Sequence, residues 1–148
     1  MIYQNSRPTI YKETSVNTAS PTKLVVMLYE GAIRFLTRAA SDIRSGDLVS
    51  KGESVSRAMA IIQHLQMTLD TDKGQDLARE LDGLYAYTLG RIVEGSTKLD
   101  ANAIEAAIKV LSELLPAWEE IAAKEQQQMV PPAVLTGIAA ASGFQLQA

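Results

Sequence analysis

Residues 17–36 read NTASPTKLVVMLYEGAIRFL, a helix start followed by the most apolar helical stretch in the chain. Ser20 suits the N-cap, where its hydroxyl accepts a hydrogen bond from a backbone N–H that has no partner in the helix. Pro21 suits the first helical position, where the missing N–H costs nothing. From there Leu24, Leu28, Phe35 and Ala39 mark one flank at helical spacing. Val25, Ala32, Leu36 and Ile43 mark the next, and Val26, Tyr29, Ile33 and Ala40 a third. At about 100° per residue these rows fill roughly 200° of arc, against the ~100° stripe of an ordinary surface helix. A helix so broadly apolar touches more than one neighbour. Met27 falls on its polar side, either as a lone exposed methionine or as a docking contact. Met27, Tyr29 and Ile33 are candidates for contacts outside a helical core.

Working outward, Gly46 ends this first helix, because glycine takes the left-handed C′ position without strain. The second helix runs from Leu48 or Lys51 to Leu69, with Val55, Ala58/Met59, Ile62, Leu65 and Leu69 at bundle-seam spacing. Ile61 flanks that seam, and His64 and Met67 face away from it. Residues 70–74, DTDKG, form a turn with Asp72 as N-cap. The third helix spans Lys73 to Lys98, with Leu77, Leu81, Leu84, Thr88 and Ile92 as its seam and Ala78, Tyr85, Leu89 and Val93 as a second row. Gly83, Gly90 and Gly95 inside it each cost up to ~1 kcal/mol relative to Ala; they serve close packing, a bend, or nothing. Asp100 caps the fourth helix, Ala101 to Gln127, whose seam is Ile104, Ile108, Leu111, Leu115, Trp118 and Ala122. Ala107, Val110, Leu114 and Ile121 broaden its arc. Pro116 inside it removes one backbone hydrogen bond and predicts a kink. Pro131-Pro132 stops it.

Four amphipathic helices joined by short connections imply an all-α, antiparallel up-and-down four-helix bundle. No sustained period-two run competes as a strand. The bundle occupies residues 20–128. Residues 1–19 form an N-terminal arm with apolar anchors at Ile2, Tyr3, Ile10, Tyr11 and Val16, which docks or frays. Residues 129–148 form a C-terminal extension, either a short docked fifth helix or a flexible tail.

At 148 residues the chain reads as one domain with room for a proper core. Charges are mixed, with a net of −3, and no basic stripe points to nucleic acid. The absence of cysteine excludes disulfides and thiolate metal sites. The polar first residues lack a signal core, and no run reaches the ~18 apolar residues of a membrane span. A cytoplasmic protein without membrane insertion is the expectation.

Catalytic chemistry finds little support. The sole histidine, His64, lies on an outward face, and a di-iron bundle needs Glu-x-x-His pairs on two helices. The glycines form neither phosphate-binding pattern. Carboxylates such as Glu119 and Glu120 stand beside Lys124 on polar faces. No cofactor, metal or catalytic residue is expected, and the chain is not read as an enzyme. What remains is surplus apolar arc, which the arm, the tail, a second copy or a partner segment must cover. An amphipathic helix in a groove is the usual geometry for such a partner. Candidate partner-binding residues are Ile10, Tyr11 and Val16 on the arm, Met27 on helix one, and Ile61, Leu65, Tyr85, Leu89 and Val93 on the flanks. A homodimeric structural or adaptor bundle is the alternative.

The run TASPTKLVVMLYEGAIRFLTRAA (18–40) closely resembles the start of the flagellin-specific export chaperones, the FliS family. The family signature is carried by Thr18, Ala19, Ser20, Pro21, Leu24, Met27, Leu28, Tyr29 and Gly31, with Glu30 where Asp is more usual. The resemblance continues through AMAIIQHLQMTLD (58–70) and GQDLARELDGLYAYTLGRI (74–92) to VLSELLPAWEEI (110–121). It departs at EGSTK (94–98), at Pro116, and after Gln128. The resemblance implies an all-α bundle that binds the disordered C-terminal segment of flagellin in the cytosol, delays its polymerisation and helps deliver it to components of the flagellar type III export gate.

Overall fold

The computed structural model describes residues 20–129. Four helices follow in order: α1 Pro21–Ser45, α2 Leu48–Met67, α3 Thr71–Lys98 and α4 Ala101–Met129. Their boundaries are set by local chemistry. The Ser20 hydroxyl accepts the Lys23 backbone N–H at 3.0 Å. Gly46 sits at φ +81, and the backbone N–H groups of the α1 terminus close onto the Asp42 and Ile43 carbonyls. The Asp47 carboxylate accepts the Ser50 N–H at 3.1 Å and so starts α2. Asp100 starts α4 in the same way, accepting the Asn102 N–H at 3.0 Å. At the head of α3 the capping carboxylate is Asp70, which accepts the Asp72 N–H at 3.1 Å. This corrects the assignment of that role to Asp72. Asp70 is the residue that lies outside the helix, so its side chain can fold back onto the first N–H groups.

Each helix packs on two neighbours in a ring: α1 on α2 and α4, and α3 on α2 and α4. The packing of α2 on α3 is the thinnest of the four contacts. The core is one continuous cluster whose fully buried members include Tyr29, Leu36, Ile62, Ile92, Ile104 and Leu111. Among the described residues the architecture is the expected all-α four-helix bundle. The arm and a fifth helix in the tail fall outside those residues.

The seam of α3 is rotated from the expected one. Ala78, Leu81, Tyr85, Thr88 and Ile92 are buried, whereas Leu77 is 63% exposed and Leu84 sits at the surface. Tyr29 is likewise core, at 0% exposure, and so is not a contact outside the bundle. The breadth of the α1 stripe is largely consumed by α2 and α4, which it touches on opposite flanks. Pro116 lies on the exposed side of α4 with helix continuing on both sides of it.

The two ends of the bundle differ in side-chain size. At the end where α1 finishes and α4 begins, small buried residues, Ala39, Ala40, Gly95, Ala101 and Ala103, pack around Ile104. An ion pair from Arg44 to Glu105, 2.8 Å, and hydrogen bonds from the Lys51 ammonium to Ser96 tie the helices there. At the other end Tyr29, Leu65, Tyr85 and Trp118 fill the interior.

Two apolar grooves as the candidate functional site

The first groove lies between α1 and α2. Its α1 wall is Leu24, Met27, Leu28 and Phe35, its α2 wall is Ile61, and its volume is about 420 Å³. The α1 positions follow the i, i+3, i+4 rule, so they stand on one face. Gly31 makes the floor. A Cβ there would rest against the Ile61 Cδ1 atom at 3.4 Å, an ordinary contact that would take up part of the trough. Arg34 and His64 stand at the edge of the groove and supply its only ionisable lining. The Arg57 guanidinium covers the other flank of Phe35, 5.8 Å from the ring centre, and fixes that ring as a wall.

The second groove opens at the aromatic end of the bundle, where α2 and α3 pack most thinly. Leu65, Thr68 and Leu69 of α2 face Leu77, Ala78 and Leu81 of α3 across about 240 Å³. Val25, Tyr85 and Trp118 close it from the α1, α3 and α4 sides. Beneath it the Tyr29 and Tyr85 hydroxyls share a buried hydrogen bond of 2.6 Å, which crosses the bundle diagonal from α1 to α3. Tyr29 packs edge-on against Tyr85 and tilted against Trp118, with ring centres 6.3 Å apart in both pairs. Burial pushes the ionisation of both phenols above the ordinary tyrosine value. For Tyr85 the hydrogen bond to Tyr29 raises it further. For Tyr29 the hydrogen bonds with Tyr85 and Trp118 pull part of the way back. The floor of this groove is therefore neutral throughout the physiological range.

The structure sorts the residues proposed from sequence. Met27, 38% exposed, and Ile61 come together in the α1/α2 groove. Leu65 and Tyr85 do reach the second groove, but as its floor. They are 2% and 1% exposed and belong to the core, which corrects their placement on an open flank. Both occupy the centre of their helix's inward stripe, so little of either side chain is free. Leu89 is half-buried against the core, and Val93 is exposed on α3 and lines neither groove. Ile10, Tyr11 and Val16 lie outside the described residues.

Sequence reasoning missed Leu24, Leu28 and Phe35 as a wall, because it counted them as a core flank of α1, and it gave Gly31 no place in a groove. The available signal was Gly31, a missing side chain one turn after Met27 in an otherwise apolar row. His64 was read as facing away from the seam. It is exposed, yet it stands at the mouth of the groove.

Neither groove brings a nucleophile to a base. Each offers concave apolar surface with few polar groups, a shape that takes up side chains of a partner segment. Among the described residues no helix is long and apolar enough to cross a membrane.

A family model for the flagellar protein FliS matches residues 3–125. The chain is similar to the flagellar secretion chaperone FliS of Salmonella typhimurium, 39% identical over 117 residues that make up 78% of this chain and 87% of the relative. The protein of the same name from Vibrio cholerae is 34% identical over 75% of this chain and 85% of its own length. That from Bacillus subtilis is 31% identical over 80% and 88%.

Proposed function

This chain belongs to the FliS family of flagellar proteins, and on that premise we propose that it is a flagellar secretion chaperone whose client is the C-terminal segment of flagellin. The family is one of chaperones rather than enzymes. The observation that carries the reading is the α1/α2 groove. Its walls are built from Leu24, Met27 and Leu28, and its floor from Gly31. A helix lying there would place apolar side chains at i, i+3, i+4 and i+7 into the trough. Each Å² of apolar surface covered would contribute about 25 cal/mol before association costs. A client that orders on binding needs a long contact, so the α1/α2 groove serves as an anchor within a larger footprint. The client held in this way stays unpolymerised in the cytoplasm and is presented to the flagellar type III export gate.

Calorimetric titration of the full chain with full-length cognate flagellin, and with its C-terminal segment alone, tests this. The expected result is saturable binding with a negative heat-capacity change, weakened by Met27→Asp or Ile61→Asp in a bundle that keeps its helicity. Loss of binding by the truncated flagellin, but not by the full-length one, would move the recognised segment elsewhere. No binding by either would overturn the client assignment.

A further inference from the structure

We propose that Arg34 is the residue by which the α1/α2 groove selects its client: its guanidinium takes an Asp or Glu side chain carried by the segment that seats there. This rests on the flagellin reading above and adds to it the charge of the recognised sequence.

Arg34 lies one helical turn after Gly31 on α1. A long side chain on a helix leans back toward the N-terminus, over the preceding turn. Arg34 does this from the edge of the groove, and Gly31 has no side chain to hold it off. The Nη2 atom of Arg34 stands 3.7 Å from the point that a Cβ on Gly31 would occupy. Ile61 Cδ1 approaches the same point from α2, to 3.4 Å. The guanidinium therefore lies over the floor of the trough.

Among the described residues nothing engages it there. Arg38, Arg44, Arg57, Arg79 and Arg91 each meet a hydroxyl, a carboxylate or an aromatic ring. Arg34 forms no hydrogen bond or ion pair with any described residue. Yet Glu30 stands four residues earlier on the same helix, the favourable order for an i,i+4 ion pair. That pair is not made, and no carboxylate lines the groove.

A guanidinium carries five N–H donors and no acceptor. While the groove is open, water can satisfy them. A segment that fills the trough removes that water, and a cation stripped of hydration without a new partner is costly. Either the side chain swings out or the segment brings an acceptor. A carboxylate suits the planar fork best, because it accepts two parallel, charge-assisted hydrogen bonds. The place of Arg34 also sets where on the segment that carboxylate sits. Leu24, Met27 and Leu28 line the groove before Gly31, and Phe35 lines it after. The guanidinium is thus at mid-groove. A helix lying along α1 would carry its acidic residue with apolar anchors three or four positions away on both sides. A chain-terminal carboxylate has anchors on one side only, so the geometry favours a side chain.

The test is calorimetric titration of the full chain, and of its Arg34→Gln variant, with the C-terminal segment of the cognate flagellin. Far-ultraviolet circular dichroism controls for folding. The variant is expected to bind about fivefold more weakly at unchanged helicity. Raising sodium chloride from ~0.05 M to ~0.5 M should weaken the wild type more than the variant. Each Asp and Glu of the segment is replaced in turn by Asn or Gln. One such change should weaken binding to the wild type by a similar factor and leave binding to the variant unaltered, as a single shared contact requires. Binding by Arg34→Gln equal to or tighter than the wild type would overturn the proposal. Sensitivity to amidation of the segment's C-terminus, with none to its acidic side chains, would overturn it in favour of a terminal carboxylate. A urea midpoint lowered by Arg34→Gln, but not in a Glu30→Gln background, would place the guanidinium on Glu30 and overturn it as well. Absence of any binding by the wild type would remove the flagellin reading and this role together, whereas binding that ignores residue 34 would remove only the role of Arg34.

Discussion

Leu77 and Gly95 lie on the same line of α3, about five helical turns apart, and they meet opposite surroundings. Gly95 is buried against the start of α4. Leu77 is largely in water at the lip of a groove. The difference lies in what the neighbouring helices carry at each level. Around Gly95 the Ile104 side chain and the Asp100 carbonyl fill the space a Cβ would take, Ala101 and Ala103 are buried beside them, and polar ties such as Lys51 to Ser96 bridge the helices. Around Leu77 the interior is held apart by Tyr29, Tyr85 and Trp118, and a leucine that would close a narrower bundle is left without a facing partner. One end of the bundle is built for close approach and the other for access.

The sharpest way to break this contrast is to add one methyl group at the close end. A Cβ on Gly95 would stand 2.8 Å from the Asp100 carbonyl oxygen and 2.8 Å from Ile104 Cγ1 and Cδ1. The carbonyl belongs to the α3–α4 turn and cannot swing aside as a side-chain tip could. Overpacking of this kind costs ~1–3 kcal/mol, and helix propensity returns only ~1. Gly95→Ala is therefore expected to lower stability by about 2 kcal/mol, read as a fall in the urea midpoint at unchanged slope. A midpoint equal to the wild type would show that the close end is looser than its distances imply.

The open end is held by the tyrosine pair, and its signature is a pH dependence. Both phenols ionise in the folded protein above the value near 10 that they have in the unfolded chain, chiefly because they are buried. Above that pH the unfolded state releases protons that the folded state retains. Stability is thus fully present below pH ~10 and falls as pH rises, by at most ~1.4 kcal/mol per pH unit for each phenol. Tyr85→Phe should remove part of that slope. At neutral pH it should cost about 1 kcal/mol, because it removes the buried bond between the two hydroxyls and leaves Tyr29 with Trp118 as its polar neighbour. The double variant Tyr29→Phe/Tyr85→Phe should recover part of that loss, as no phenol hydroxyl is then left buried short of a partner, although the bond with Trp118 goes too. Urea midpoints from pH 7 to 11 for the wild type and the two variants check the sign and the order. A wild-type stability flat to pH 11 would place the pair in contact with water.

The same contrast explains what was legible in the sequence. Helix ends could be read because capping is local: Ser20, Gly46 and Asp100 each act within three or four residues of themselves. The four-helix architecture could be read because short connections and apolar stripes suffice to imply it. The inward face of α3 could not be read as closely. Spacing counts Leu77 and Leu84 as seam residues because they are large and apolar, but a bundle of uneven width buries Ala78 and Tyr85 in their place. Width depends on side chains from all four helices at one level, which no single helix encodes. The grooves were half legible for the same reason. Met27 was noticed as an apolar residue out of place. Its neighbours Leu24, Leu28 and Phe35 looked like ordinary core until the two helices were brought side by side.

The smallest expected effect is also the cleanest control on the two ends. Gly83 lies on α3 about two turns beyond Leu77, is exposed, and has nothing within 4 Å of the position a Cβ would take. Gly83→Ala makes the same chemical change as Gly95→Ala, on the same helix. It is expected to raise stability by up to ~1 kcal/mol, since alanine restricts the unfolded chain and favours helix without meeting a neighbour. The two glycines then differ in sign, with Gly83 reporting propensity alone and Gly95 reporting propensity minus collision. If both variants lost stability to a similar degree, the penalty would belong to α3 itself. If both gained, α3 and α4 would sit farther apart at the close end than the structure places them, and the bundle would not taper.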